Sequence, residues 1–369
     1  MKKTLLALTF AALALSAAVS CQKDDINKPV DLASGETANC YIVSAEGTYS
    51  FPAVKGNSAE PVGAVSSAEL LWEVSRTSTE TTDGSLISNV RYEGGKIVFS
   101  ASAHKGNAVI AARDAAGTIL WSWHIWMTEK PAEQVYNNGA GTMMDRNLGA
   151  TSATPDDAGS FGLMYQWGRK DPFCGVAELA YRKSTKISTK AQWPEAVVSD
   201  ATTGTIEYAL AHPMTFIKEN EFNSDWYYRD DYTTEDTRWQ AEKTIYDPCP
   251  AGWRVPDGGS EGIWAKALGS TEEYIDSETG WDTGESGADL SKTVPALASG
   301  ETVWYPYEGL IYSDTGVLSG ILEIAGYWSV ATRNYYGKVF SVEMYDKCII
   351  PSIDSPRAHG CSLRCMKVN

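Results

Sequence analysis

The chain has 369 residues, 43% of them hydrophobic, with 31 lysines and arginines against 47 aspartates and glutamates and a formal net charge of -16. That length and apolar content suffice for two domains, each with its own core. So acidic a surface repels phosphate backbones, which sets nucleic acid aside as a partner and leaves neutral partners such as glycans open.

The first element is a leader. Met1, Lys2 and Lys3 precede an apolar run from Leu5 to Val19, and the small residues Ala18, Val19 and Ser20 lead into Cys21. The run is shorter than the roughly 20 residues a spanning helix needs. A charged start, an apolar stretch and a cysteine right behind small residues form a bacterial lipoprotein signal. Residues 1–20 are therefore expected to be removed, and Cys21 to carry acyl chains such as palmitate. Each buried CH₂ of those chains contributes about 0.8 kcal/mol to membrane attachment. Behind the anchor, Gln22, Lys23, Asp24 and Asp25 resemble the lipoprotein export signal of Bacteroidetes, where a short acidic run directs the protein to the cell exterior. The implied location is the outer membrane, facing outward. Lys28, Pro29, Asp31, Ser34 and Gly35 continue in polar, turn-forming style, so residues 21–36 read as anchor and linker.

From residue 37 to 130 the chain reads as short strands separated by turns. Cys40 to Val43, Thr48 to Phe51, Glu69 to Val74, Ile97 to Ser100, Asn107 to Ala112 and Thr118 to Ile125 carry the β-rich composition. Glu46 and Gly47, Gly94 and Gly95, and the stretch Asp114 to Gly117 supply turns. Strands so spaced, with almost no helical periodicity, predict an all-β immunoglobulin-like sandwich. Period-two alternation puts Trp121 and Trp123 on one face of the last strand and Trp126 on the other. Large aromatics bury readily, so these three are expected to pack near a domain junction.

Pro131 marks the boundary of a second domain over 131–369, rich in Trp, Tyr and Gly. One helix is expected, capped by Ser260, with Ile263, Trp264 and Leu268 on its apolar side and Gly269 ending it. Ala325 to Ser329, Lys338 to Met344 and Ser362 to Val368 read as closing strands of a sheet. Arg254 is expected to pair with an acidic neighbour such as Asp247. Six cysteines follow Cys21, namely Cys40, Cys174, Cys249, Cys348, Cys361 and Cys365; outside the cytoplasm an even number suggests disulfides, in any of several pairings.

Five segments of this half occur in a telling order: Asp145 to Gly149 (DRNLG), Tyr165 to Arg169 (YQWGR), Tyr246 to Pro256 (YDPCPAGWRVP), Gly326 to Ser329 (GYWS) and Leu363 to Cys365 (LRC). The order resembles that of the Fibrobacter succinogenes major paralogous domain, common in Bacteroidetes surface lipoproteins, including fimbrillin-like ones. The resemblance implies an α+β, C-type-lectin-like fold for the second domain, with Cys249 bridged to Cys365. The Pro, Gly and Trp positions of the signature read as fold-building.

For chemistry, the sequence has no Gly-x-Ser-x-Gly elbow, phosphate-cradling loop or HExxH helix, and its four histidines lie outside any such motif. An enzyme is therefore not expected, and neither a cofactor nor a metal is assigned. Asp225, Asp230, Asp231, Glu235 and Asp236 offer oxygens for calcium without EF-hand spacing. The favoured ligand-binding segment is Trp226, Tyr227, Tyr228, Arg229, Asp230, Asp231 and Tyr232, which mixes flat apolar rings with donors and acceptors. Trp304, Tyr305, Pro306 and Tyr307 form a second aromatic run, expected to be buried. The functional expectation is a surface lipoprotein for adhesion or recognition of a glycan or protein, a fimbria-associated component among its forms. Its rivals are a structural or assembly subunit of an appendage and, third, an enzyme related to the formylglycine-generating fold.

Overall fold

The computed structural model describes residues 28–75, 86–174, 195–231, 233–270, 275–276, 282–292, 294, 302–344 and 346–368. Cys21 and the leader lie outside these residues. The described chain is mostly β-sheet with few helices, and none of its helices is long and apolar enough to cross a membrane.

The N-terminal strands are β1 (Val30–Asp31), β2 (Cys40–Val43), β3 (Gly47–Pro52), β4 (Ser67–Ser75), β5 (Ile87–Glu93), β6 (Lys96–Ala101), β7 (Gly106–Arg113) and β8 (Ile119–Met127). They form two four-stranded sheets, ordered β1-β3-β6-β5 and β2-β8-β7-β4. β1 runs parallel to β3, and β2 parallel to β8. Phe51, Ile97 and Phe99 from one sheet meet Tyr41, Ile110, Trp121 and Trp123 from the other in one apolar cluster. The β7–β8 turn closes on Asp114, whose Oδ1 accepts the N–H groups of Ala116 at 2.9 Å and Thr118 at 2.8 Å. Gly117 there takes φ +87°, a conformation that costs glycine little.

The second unit continues with β9 (Glu133–Tyr136), β10 (Gly141–Met144), β11 (Met164–Gln166), β12 (Glu195–Val198), α1 (Ile206–Ala211), β13 (Thr215–Lys218), β14 (Trp253–Arg254) and α2 (Ile263–Leu268). Then come β15 (Ile275–Asp276), β16 (Asp282–Thr283), β17 (Gly287–Asp289), β18 (Trp304–Pro306), β19 (Leu310–Ile311), β20 (Leu318–Ser319), β21 (Ile324–Arg333), β22 (Tyr336–Glu343), β23 (Cys348–Pro356), β24 (Gly360–Ser362) and β25 (Met366–Lys367). One sheet, β14-β25-β10-β9, sets the last strand of the unit between β14 and β10, with β9 beyond β10. A longer sheet runs β15-β23-β22-β21-β24-β19-β20, with β11 also on β24. Cys249, just before β14, is bridged to Cys365, just before β25, across 116 residues of sequence. Cys40 and Cys361 remain buried thiols.

Three details differ from expectation. The helix begins at Ile263 with Gly262 as its N-cap, not Ser260, while Gly269 ends it at φ +69° as the sequence suggests. Arg254 pairs with Asp257, at 2.8 and 2.7 Å, and not with Asp247. Asp247 instead faces inward and accepts the N–H groups of Cys249 (2.8 Å) and Val255 (2.9 Å), holding the Pro-Cys-Pro turn in shape. The expected strand from Ser362 to Val368 is two short ones, because Leu363, Arg364 and Cys365 leave the long sheet to join the smaller one.

The signature residues converge on buried polar contacts. Glu308, fully buried, accepts hydrogen bonds from Asn147 (2.5 Å), Gly162 N–H (2.7 Å) and Ser362 (2.7 Å). Arg364 donates to Asn147 at 2.9 Å and stacks 3.8 Å from the Tyr305 ring centre. Buried polar groups bonded to one another in this way favour a single arrangement of the segments that carry them.

The two units meet through a packed seam. Cys40, Trp72, Val109 and Trp126 belong to the same apolar cluster as Met144, Leu148, Tyr165 and Trp167. Asn39 Nδ2 donates to the carbonyls of Ile245 (2.7 Å) and Asp247 (2.9 Å), and its Oδ1 accepts Trp121 Nε1–H at 3.0 Å. Asn57 reaches the Thr244 carbonyl at 2.7 Å, Asn107 that of Gly149 at 2.8 Å, and Trp126 Nε1–H that of Ala150 at 3.0 Å.

Candidate recognition surface

The segment from 219 to 238 has almost no regular structure, yet its backbone is fastened by its own side chains. Asn220 Oδ1 accepts the N–H of Phe222 (2.7 Å), Asn223 Oδ1 that of Asp225 (3.0 Å), and Asp225 Oδ1 that of Tyr227 (3.1 Å). Asp231 Oδ1 accepts Thr233 N–H (3.0 Å) and Glu235 Oε1 accepts Thr237 N–H (2.9 Å). Short polar side chains that bond the backbone two residues on substitute for helix or sheet. The rest of the protein holds the loop by Tyr228 N–H to the Gly204 carbonyl (2.9 Å), Ser199 Oγ to the Trp226 carbonyl (2.8 Å) and Ala358 N–H to the Ser224 carbonyl (3.0 Å).

Beneath the loop lies a stack of charged and aromatic side chains. The Arg238 guanidinium sits 4.5 Å from the Trp226 ring centre and 5.0 Å from that of Trp167, and Arg357 lies 4.6 Å from Trp167. Asp225 pairs with Arg238, and with Arg357 at 3.5 Å, while Asp236 pairs with Arg357. Burial pulls the Arg238 guanidinium down from its ordinary range, and the Asp225 carboxylate opposes that pull. Cations held against ring faces and carboxylates stay tolerable away from water.

The expected binding residues therefore divide. Trp226 is 1% exposed, its indole N–H donates to the Trp167 carbonyl at 2.7 Å, and arginines cover its ring, so it is a support of the loop and offers no face to a ligand. This corrects the expectation that Trp226 is a ligand-binding residue. Tyr227 and Tyr228 are half-buried, with Arg229 placed 5.3 Å from the Tyr227 ring centre and Phe222 edge-on to Tyr228 at 6.1 Å. Asp230 and Asp231 are exposed. Hydrogen bonds from Thr233 hold the Asp231 carboxyl below the usual carboxylate range, so it is ionised well into acid. Tyr232 lies outside the described residues. The tip thus presents two part-covered phenol rings, one guanidinium already engaged and two open carboxylates.

The five carboxylates weighed for calcium do not gather. Asp225 and Asp236 point to arginines, while Asp231 and Glu235 close turns. Among the described residues no group of three or more His, Cys, Asp or Glu side chains is placed to hold a metal ion. Trp304, Tyr305 and Tyr307 are buried. Sequence reasoning overlooked a trough of about 890 Å³ on the outer face of the β1-β3-β6-β5 sheet, floored by Thr48, Ser50, Val98 and Ser100 and rimmed by Arg91 and Lys96. Small side chains flanked by long ones along adjacent strands were its available sign.

Comparison with protein-family models, with curated proteins and with solved structures gives no match. The functional reading consequently rests on the leader, the ordered signature and the geometry of the loop.

Proposed function

We propose that the protein is a surface lipoprotein, lipidated at Cys21 and displayed from the outer membrane, that recognises a glycan or a protein through the loop that carries Tyr227, Tyr228, Asp230 and Asp231. In this reading the N-terminal sheet pair is an immunoglobulin-like sandwich, and residues 131–369 are a C-type-lectin-like domain of the Fibrobacter succinogenes major paralogous kind. The order of the sheets supports the first part, since β3-β6-β5 faces β8-β7-β4 with β2 added parallel to β8. The second part draws support from the terminal strands β9, β10 and β25 side by side and from the Cys249–Cys365 bridge. The observation that carries recognition is the loop itself: irregular backbone fixed by its own side chains, with Asp230 and Asp231 exposed beside the half-buried rings of Tyr227 and Tyr228.

The test is a glycan, mucin and protein array probed with the purified mature chain, beside the Tyr227→Ala and Tyr228→Ala variants. Binding that falls in both variants supports the loop; binding indifferent to both removes it. Palmitate labelling in cells, lost in Cys21→Ser, tests the anchor, and protease shaving of intact cells tests the outward display.

A second reading, a structural or assembly subunit of a surface appendage, is favoured by β1. It pairs with β3 through only Val30 and Asp31, both exposed, so the sheet edge it covers could take another strand at small cost.

A further inference from the structure

We propose that the chain is a tension-bearing connector: a pull between the N-terminal linker and the recognition loop is carried in shear by the parallel pair β2–β8, reinforced by the Asn39 side chain. The direction of the pull rests on the tethered, loop-binding reading above. The mechanical asymmetry itself rests on strand order alone.

Past β1, which holds to β3 through two residues only, the chain enters β2 at its N-terminal end, and β8 leaves at Met127 directly toward β9 of the second unit. The strands are parallel, with Cys40 opposite His124, Tyr41 opposite Ile125, Ile42 opposite Trp126 and Val43 opposite Met127. Drawing the linker back and the second unit forward therefore slides one strand along the other. All the bonds of the pair then resist together, whereas strands pulled apart from one end separate bond by bond. The ladder is closed at both ends, by His124 N–H on the Asn39 carbonyl (2.8 Å) and Thr128 N–H on the Val43 carbonyl (3.1 Å).

Water is kept from those bonds. Cys40, Tyr41, Val43, Ile125, Trp126 and Met127 are all buried, and they feed two different apolar clusters, one on each side of the sheet. A hydrogen bond shielded in this way has no solvent molecule at hand to exchange with as it stretches.

The second unit grips both ends of the pair. At the start of β2, Asn39 Nδ2 holds the carbonyls of Ile245 and Asp247 at 2.7 and 2.9 Å. At the end of β8, Trp126 Nε1–H holds the Ala150 carbonyl at 3.0 Å, and Arg146 reaches Thr128 Oγ1 at 3.3 Å. Load placed on the second unit thus arrives at the far end of β8 without first passing through a turn. Gly94 and Gly95, in the β5–β6 turn, belong to the other sheet, so a pull there draws on the β5–β6 hairpin and its pairing with β3 and leaves the β2–β8 pair out of the load path.

Single-molecule force spectroscopy on the full mature chain, with peptide-ligase handles, decides the matter. One attachment pair joins the N-terminus to a handle beside Asp230; the other joins a handle in the Gly94–Gly95 turn to the same handle. The first pair is expected to give way at a force at least about twofold higher than the second. Equal forces, or a weaker first pair, overturn the proposal. In Tyr41→Pro, which removes a backbone N–H midway between the two closing bonds, the first force is expected to fall toward the second while the second stays put. If that variant does not fold, the comparison of attachment pairs still decides. Neither lipidation nor ligand binding enters the measurement, so an unlabelled Cys21 or an empty array would count against the surface-recognition reading alone.

Discussion

The ammonium of Lys170 lies 4.6 Å from the centre of the Trp121 ring, a cation from the second unit against an indole from the N-terminal sheet pair. The same Nζ donates to Asp171 Oδ1 at 2.6 Å and to Ser122 Oγ at 2.7 Å, and Ser122 Oγ donates to that carboxylate oxygen at 2.5 Å. Burial lowers the Lys170 pKa and Asp171 works against that shift. Charge has been taken out of water where two units touch, which only a complete set of partners makes tolerable.

Asp171→Asn removes the counter-charge and leaves Lys170 buried. The expected loss is about 3–5 kcal/mol in urea unfolding, against about 1–3 kcal/mol for Ser122→Ala, which takes away a neutral partner. Similar losses in the two variants would mean that Lys170 is already neutral in the folded protein.

Trp226→Ala and Tyr227→Ala separate support from contact. Truncating the buried indole is expected to lower stability by about 3–5 kcal/mol and to disorder the loop. Tyr227→Ala is expected to stay within about 1 kcal/mol of the parent in thermal unfolding and to weaken ligand capture on the arrays. A Trp226→Ala variant as stable as the parent would show that the arginine stack does not depend on it.

Breaking the Cys249–Cys365 bridge by Cys249→Ser with Cys365→Ser is expected to cost about 4–5 kcal/mol in the chain-entropy treatment of a loop this long. Calorimetry under non-reducing conditions measures it. No change in melting temperature would place the stability of the β14-β25-β10-β9 sheet in its packing alone.

Burial pulls His124 down to about 3 and His359 down to about 4, from an ordinary value of 6.5. The unfolded chain then binds more protons than the folded one below pH 6.5. Their contribution to stability is complete above pH 6.5 and is lost as pH falls from there through 4 and then 3. Between pH 7 and pH 5 the expected decline is on the order of 2 kcal/mol for each histidine. Urea midpoints at the two pH values test this, with His359→Gln expected to remove about half of the histidine-linked decline. A midpoint independent of pH in both proteins would mean that the histidines are not held neutral.

The strands with β-rich runs and clear turns were legible in the sequence. Cys40–Val43 matches to the residue, and the runs at β3, β4, β6, β7 and β8 match within two residues of their ends. β5 was not legible, because its residues Ile-Ser-Asn-Val-Arg-Tyr-Glu are largely polar and exposed, and β6 supplies the ladder that makes it a strand. β23 was hidden by Pro351. The register shift between Val339 and Ser341 leaves that proline in a bulge, where no ladder N–H is needed. α1 is too short to show a period; its cap, Thr205 Oγ1 accepting Tyr208 N–H at 3.0 Å, was its only sign.

At the loop, composition revealed that rings and carboxylates occur together but not which ring turns inward. The burial of Trp226 depends on Arg169 and Arg238 over its ring and on Ala358 in its apolar cluster, the last more than a hundred positions away in sequence. The close Asn and Asp positions at 220, 223 and 225 were readable as a run of turns, and they are the cue that aromatic content masks.

Gly252 ties together residues from far apart in the chain: its N–H donates to the Glu36 carboxylate at 3.2 Å, and its carbonyl accepts Val368 N–H at 2.9 Å. Val368 and Glu36 therefore lie side by side at Gly252, while Gly94 and Gly95 stand at a separate turn between β5 and β6. A cargo grafted behind Val368 would likewise emerge beside the linker, so an epitope placed there would report on the base of the molecule and one at the glycine turn on its flank.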